Sequence, residues 1–272
     1  ESPASAFRSK PKASIFVATH LVSEGQAQAV VSMGSSGATI AAATVMLGTY
    51  DGVERPCLGG PIIGLSPNTV IMDVGTNVDC RPRQLVDFAA LGAVMSKVVY
   101  GVENPRVALL SVGTEEGKGN RLVKETSVLL RSSPLKFIGN VEANQLPFGP
   151  AEVVVVDGFT GNMVMKLTEG LGDALSSRLR IQLSGKMNAD EVNAFASEIY
   201  ELTNPVEFLG GGPLVGVKGV AIIGHGKARA FAVSNALGLA QRLVKSDFVG
   251  QGGTALDEMR QAVGTSVCDD KP

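Results

Sequence analysis

One histidine, His225, stands between Gly224 and Gly226 directly after the apolar run 220–223. With no bulky neighbours in sequence, its ring could donate to a developing oxyanion or serve as an acid near neutral pH. A purely structural histidine is the plainer alternative. Gly34-Ser35-Ser36-Gly37 precedes an alanine-rich stretch of helical spacing. Free backbone N–H groups and the positive end of a helix would there face an anion such as phosphate, with two hydroxyls adding donors. A simple helix cap, which needs only one serine, competes with that reading. Asp157-Gly158-Phe159-Thr160-Gly161-Asn162 puts a carboxylate after four valines and then Thr160 and Asn162 at a helix start. Lys166 follows Asn162 by four residues, on the same helical face. His225, Asn162, Lys166 and Asp157 are thus the candidate catalytic residues, with Ser35, Ser36, Gly37 and Thr160 as candidate anion ligands. The glycine-punctuated turn 113–120 lacks G-x-x-x-x-G-K-[ST], so it is no nucleotide P-loop. It would set Lys118 against phosphate or an acidic partner, or leave it in water.

Other chemistries find little support. Asp73 and Asp79 bracket Asn77, but no further ligands stand at fixed spacing, so no metal is expected. There is no G-x-S-x-G elbow and no cysteine beside a plausible base, which disfavours a covalent acyl-enzyme. No G-x-G-x-x-G follows the first strand, which disfavours a dinucleotide oxidoreductase. His20, inside a helix expected over 12–24, reads as a partly buried polar residue.

These turns need elements to hold them. Runs at 29–33, 70–74, 107–112, 152–156 and 220–223 are apolar and mostly β-branched, each ends in a glycine-containing turn, and helical patterns follow most of them. A sixth, short strand is expected at 136–138. Continuous apolar strands alternating with helices predict an α/β fold: a Rossmann-like, mainly parallel sheet with helices on both faces. In an open sheet of that kind ligands settle outside the carboxyl ends of the strands, where all of these polar clusters are expected. The 272 residues are 44% hydrophobic and 18% charged, enough for one large core without disorder, and the formal net charge of −2 with no basic block excludes a nucleic-acid partner. Cys57, Cys80 and Cys268 are scattered without C-x-x-C spacing, as in a reducing cytosol. No apolar run approaches the length of a membrane span. A single domain over 1–272 is expected, with a helical excursion at about 168–205, and a strand upstream of Glu1 is expected to be missing.

Six strings in order resemble one family. They are Ser32-Met33-Gly34-Ser35-Ser36-Gly37-Ala38, Met72-Asp73-Val74-Gly75-Thr76-Asn77-Val78-Asp79, Ser111-Val112-Gly113-Thr114-Glu115, Phe137-Ile138-Gly139-Asn140-Val141-Glu142, the Asp157 to Asn162 string, and Gly210-Gly211-Gly212-Pro213-Leu214-Val215-Gly216-Val217. The chain is similar to the PlsX-type phosphate acyltransferases. The resemblance implies transfer of a long acyl chain from acyl carrier protein to inorganic phosphate for phospholipid synthesis. It implies no cofactor, a fold related to phosphotransacetylases and isocitrate dehydrogenases, a homodimer, and a cytoplasmic place with peripheral membrane contact. Its motifs add Asn77, Thr114 and Asn140 to the candidate substrate ligands. The family's opening D-A-M-G-G-D strand is absent, and its S-H-G-S-S-D reads Gly224-His225-Gly226-Lys227-Ala228-Arg229, which adds two cations. A phosphotransacetylase-like enzyme using coenzyme A thioesters and a non-catalytic phosphate-binding protein are the rival readings.

Leu167, Leu171, Leu175 and Leu179 recur every four residues after Asn162, a narrow apolar stripe on one helix. Packing on the sheet, a dimer seam and a lipid-touching tip compete for it, and Arg178, Arg180 and Lys186 would suit an anionic membrane surface.

Overall fold

A computed structural model gives the structure of the protein over residues 9–264. Its sheet strands are β1 (Ala29–Ser32), β2 (Cys57–Gly60), β3 (Val70–Met72), β4 (Arg106–Leu110), β5 (Lys136–Val141), β6 (Val153–Val155), β7 (Gly212–Val215) and β8 (Val220–Ile223). The helices are α1 (Ser14–Ser23), α2 (Ser36–Met46), α3 (Pro82–Tyr100), α4 (Arg121–Arg131), α5 (Gly158–Leu183), α6 (Ala189–Thr203), α7 (Pro205–Leu209), α8 (Ala230–Lys245) and α9 (Phe248–Val263). The strands form one sheet in the order β1-β8-β7-β2-β3-β6-β4-β5.

Valine and isoleucine make the central strands, and burial on both faces explains why they do not alternate with polar residues. One side chain of each pair faces each layer. Met72, Val107, Leu109, Val153, Val155 and Ile222 meet Leu85, Phe88, Leu91 and Met95 of α3, Leu243 of α8 and Leu256 of α9. On the other face, Ile71, Ala108, Leu110 and Val154 meet Val164 and Met165 of α5. Further along that face, Ala221, Ile223 and Val30 meet Ala43 of α2 and Ile15 of α1. Leu58 on β2 touches both clusters of this second face. Helices therefore cover both faces, as the sequence predicts.

Two strands and two helices, α7 and α9, are additions. β2 (CLGG) and β7 (GPLV) are rich in glycine and carry a proline, so they have no β-branched signature. α9 carries three glycines in its first turns. The two strands change the topology: β8–β7, β7–β2 and β2–β3 are all antiparallel, whereas β1–β8, β3–β6, β6–β4 and β4–β5 are parallel. β1 and β8 consequently run opposite to β3, β4, β5 and β6. The expectation of one shared carboxyl edge for all the polar turns is corrected by this reversal. His20 is also corrected: it lies in the last turn of α1 and is exposed.

α5 runs back along the second face and beyond it. Its outer half pairs with α6 as a helical hairpin, locked where Ser176 Oγ donates to the Ala196 carbonyl at 2.8 Å.

Candidate active site

The neighbouring ends of β1 and β8 bring two of the polar turns together. Ser32 is in register with Ile223, and the Gly224 N–H donates to the Ser32 carbonyl at 2.8 Å. Gly224 lies so close to Met33 that any Cβ would collide with the thioether sulfur. The loop before α2 is ordered by its own hydroxyls: Ser35 Oγ accepts from the Ala38 N–H at 3.4 Å, and Ser32 Oγ accepts from Thr39 Oγ1 at 2.9 Å. Ser35 is thus the N-cap, while Ser36 and Gly37 open the helix with N–H groups that have no partner among the described residues. That end of α2 is fit to receive an anion.

His225 projects from the adjacent turn and is exposed. Its Nδ1 accepts from the Lys227 backbone N–H at 3.3 Å. Nδ1 then carries the lone pair, so in the neutral ring the proton sits on Nε2 and is free to be donated. His225 and Lys227 line a pocket of about 130 Å³ whose far wall is Glu169 and Asp173 of α5, Tyr200 of α6 and Glu207 of α7. The Tyr200 hydroxyl donates to Glu207 Oε2 at 2.6 Å. That bond, with burial and the carboxylates of Glu207, Asp173 and Glu169 behind it, pushes Tyr200 up to about 12. Lys166 pairs with Glu169 at 2.6 Å. The pocket thus has a cationic rim from the β8 turn and an acidic wall from the helices.

The remaining candidates lie at the ends of the oppositely running strands. Asp73, fully buried after β3, accepts from the backbone N–H groups of Leu58, Gly75, Thr76 and Asn77 and from Asn77 Nδ2. Burial pushes its carboxyl above the usual range, while the hydrogen bonds from Thr76, Asn77 and Leu58 pull it down. Asn77 is 1% exposed and spends its Nδ2 on the Pro56 carbonyl and Asp73, so it holds the loop rather than facing a substrate. Asp157 caps α5, with Oδ1 on the Thr160 N–H and Oδ2 on Thr160 Oγ1, both at 2.9 Å. Gly161 comes down onto the Asp73 carbonyl, where a Cβ would clash. Asn162 lies against Gly75. Thr114 and Lys118 are exposed on the turn after β4, and Asn140 Nδ2 reaches its Glu115 carbonyl at 3.3 Å. α5 joins the two ends: from its capped start to Glu169 is about 16 Å of helix. Among the described residues no His, Cys, Asp and Glu cluster is placed to hold a metal.

A sequence profile described as "Fatty acid synthesis protein" matches residues 1–251. The chain belongs to that family. It is 46% identical over 254 residues to the phosphate acyltransferase of Elusimicrobium minutum, covering 91% of this chain and 73% of that protein. It is 44% identical over 253 residues to that of Heliobacterium modesticaldum, covering 92% and 75%. Among solved structures, a phosphotransacetylase from Streptococcus pyogenes matches with a TM-score of 0.52 at 18% identity, over 89% of this chain and 67% of that one. A 4-hydroxythreonine-4-phosphate dehydrogenase from Klebsiella pneumoniae matches with 0.51 at 15%, over 85% and 69%. A transferase and a dehydrogenase share this fold, so the fold leaves the chemistry to the site.

As a member of the phosphate acyltransferase family the chain is an acyltransferase, and an acyl transfer needs a donor at the oxyanion of its tetrahedral intermediate. His225 presents an outward Nε2–H donor. The sequence also carried a signal for Lys227, a cation added after the histidine. Glu169 and Asp173 were visible only as an i, i+4 pair on a helix. Tyr200 and Glu207 had none, because α6 and α7 reach the pocket through tertiary packing.

Proposed function

We propose that this enzyme transfers a long fatty acyl group from acyl carrier protein to inorganic phosphate, yielding an acyl phosphate for phospholipid synthesis. The observation that carries this reading is the adjacency of the α2 N-terminus and His225 on neighbouring strand ends. Phosphate bound at the Ser36 and Gly37 N–H groups lies beside the imidazole. One phosphate oxygen attacks the thioester carbonyl while Nε2–H donates to the oxyanion. The C–O bond to phosphorus-bound oxygen forms first, giving the tetrahedral oxyanion; its collapse breaks the C–S bond, and the proton of hydrogen phosphate ends on the carrier thiol. No electrons are exchanged, and no cofactor is required. Asp157 and Thr160 act through the helix they cap, Asn162 seats it on the β3 loop, and Lys166 positions Glu169. Thr114, Lys118 and Asn140 form a separate polar turn suited to the acidic carrier protein.

Incubation with acyl-loaded carrier protein should release free thiol and acyl phosphate only when phosphate is present. Ser36→Ala removes the hydroxyl that joins those N–H groups on the anion; it should raise the KM for phosphate by roughly ten- to a hundredfold, the worth of one hydrogen bond to a charged group, and leave that for the thioester unchanged. Equal effects on both constants would remove the anion from this loop. Faster turnover of the coenzyme A thioester would replace the carrier protein as donor.

The outer row of α5 supports a homodimer that touches a membrane peripherally. Leu167, Leu171 and Leu175 are 64%, 52% and 52% exposed, an unpartnered apolar ridge at i, i+4 spacing. No helix among the described residues is long and apolar enough to cross a membrane. Leu171→Glu should convert a sedimenting dimer to a monomer and weaken retention by anionic vesicles. A monomeric wild type that vesicles do not retain would leave the ridge without either role.

A further inference from the structure

A second depression, of about 430 Å³, lies on the other side of α7 from the His225 pocket. Pro205, buried at the start of α7, lines both. The two sides differ in chemistry. The first is walled by His225, Lys227 and carboxylates, the second mainly by Pro61, Leu202, Phe208, Leu209 and Phe231. Leu209 and Phe231 stand 43% and 68% exposed, large apolar side chains in water beside a concave surface. Phe231 belongs to the same turn-to-helix segment that carries His225, so one stretch of chain serves both depressions.

We infer that this groove seats the alkyl tail of the acyl substrate, with the thioester carbonyl held across Pro205 beside His225. This rests on the acyl-transfer reading above and adds to it where the chain lies and which residues set its length. An acyl thioester has one polar reacting end and one apolar tail, and the paired depressions offer one compartment for each. The volume falls within the roughly 300–1,000 Å³ typical of ligand sites. The partition is fixed before any ligand arrives. Phe208 meets Tyr200 edge-to-face with ring centroids 6.2 Å apart, and Asn235 Nδ2 donates to the Phe208 carbonyl at 2.8 Å. Glu198 and Glu201 also line the groove.

Leu209→Trp fills the groove and Phe231→Glu charges it; both positions are exposed, so neither change threatens the core. Against carrier protein loaded with hexadecanoyl groups, each variant should lose about tenfold or more in kcat/KM, the worth of one or more methylenes in an apolar pocket. The hexanoyl substrate should be affected much less. Fluorescence of cis-parinaric acid should report tail binding without turnover, weakened about tenfold by either change. If no thioester of any length reacts but parinarate binding still responds to both variants, acyl transfer fails and the groove stands. If long and short substrates respond alike, or parinarate ignores both variants, the groove does not hold the tail. Loss of a dimer in either variant with an unchanged chain-length profile would make it a contact between two copies and overturn the inference.

Discussion

Replacing His225 with Ala should lower kcat by roughly 10²–10³, the typical cost of removing one oxyanion donor. The KM values for both substrates should change far less. Stability should stay within about 0.5 kcal/mol, because the ring is exposed and touches no core cluster. The reasoning rests on the tautomer. The Lys227 N–H occupies Nδ1, which leaves Nε2–H as the outward donor, and a neutral donor stabilises a charge that exists only in the transition state. His225→Gln keeps an N–H donor and should retain more activity than His225→Ala. His225→Asn, too short to reach the same point, should resemble Ala. A covalent acyl-histidine isolated from the wild type would make the ring a nucleophile and overturn this role.

The legibility of the molecule follows from where its information is local. β1, β3, β4, β6 and β8 announce themselves as short apolar, mostly β-branched runs, and α3 is bounded by Pro82 in its first turn and Gly101 at its left-handed end. α4 likewise begins after Asn120, whose side chain caps it at the Val123 N–H. β2 and β7 carry no such mark, since their glycines and proline are selected by neighbouring strands rather than by strand propensity. Missing them hides the reversal between the two halves of the sheet, and with it the fact that Ser36 and Asn162 leave the sheet in opposite directions. The reading of the site divides along the same line. The turns that carry Ser35–Ser36 and His225 lie side by side because β1 and β8 are hydrogen-bonded neighbours, a pairing between residues far apart in sequence. The acidic wall of the pocket depends on the α5–α6 hairpin folding back over the sheet, which no short motif encodes.

Asp73→Ala should cost at least about 4 kcal/mol of stability, because each of several buried donors left unpaired costs about 1–3 kcal/mol. Leu58 N–H ties β2 to this carboxylate, the N–H groups of Gly75, Thr76 and Asn77 wrap the loop after β3 around it, and Asn77 Nδ2 completes the clasp. The loss is a large share of the roughly 5–15 kcal/mol that holds a domain together. Activity should fall with it, since the Asn77 carbonyl accepts the Gly158 N–H at 2.7 Å and so fixes the start of the helix that reaches the His225 pocket. Asp79, the other carboxylate flanking Asn77, supplies the control. It has the same chemistry two residues beyond the clasp's end at Asn77 but is exposed, so Asp79→Ala should change stability by no more than about 0.5 kcal/mol. Urea unfolding of the two variants decides the matter: closely similar midpoints would show that the buried carboxylate does not hold the loop, whereas a large drop confined to Asp73→Ala would show that burial, not spacing around Asn77, separates the two aspartates.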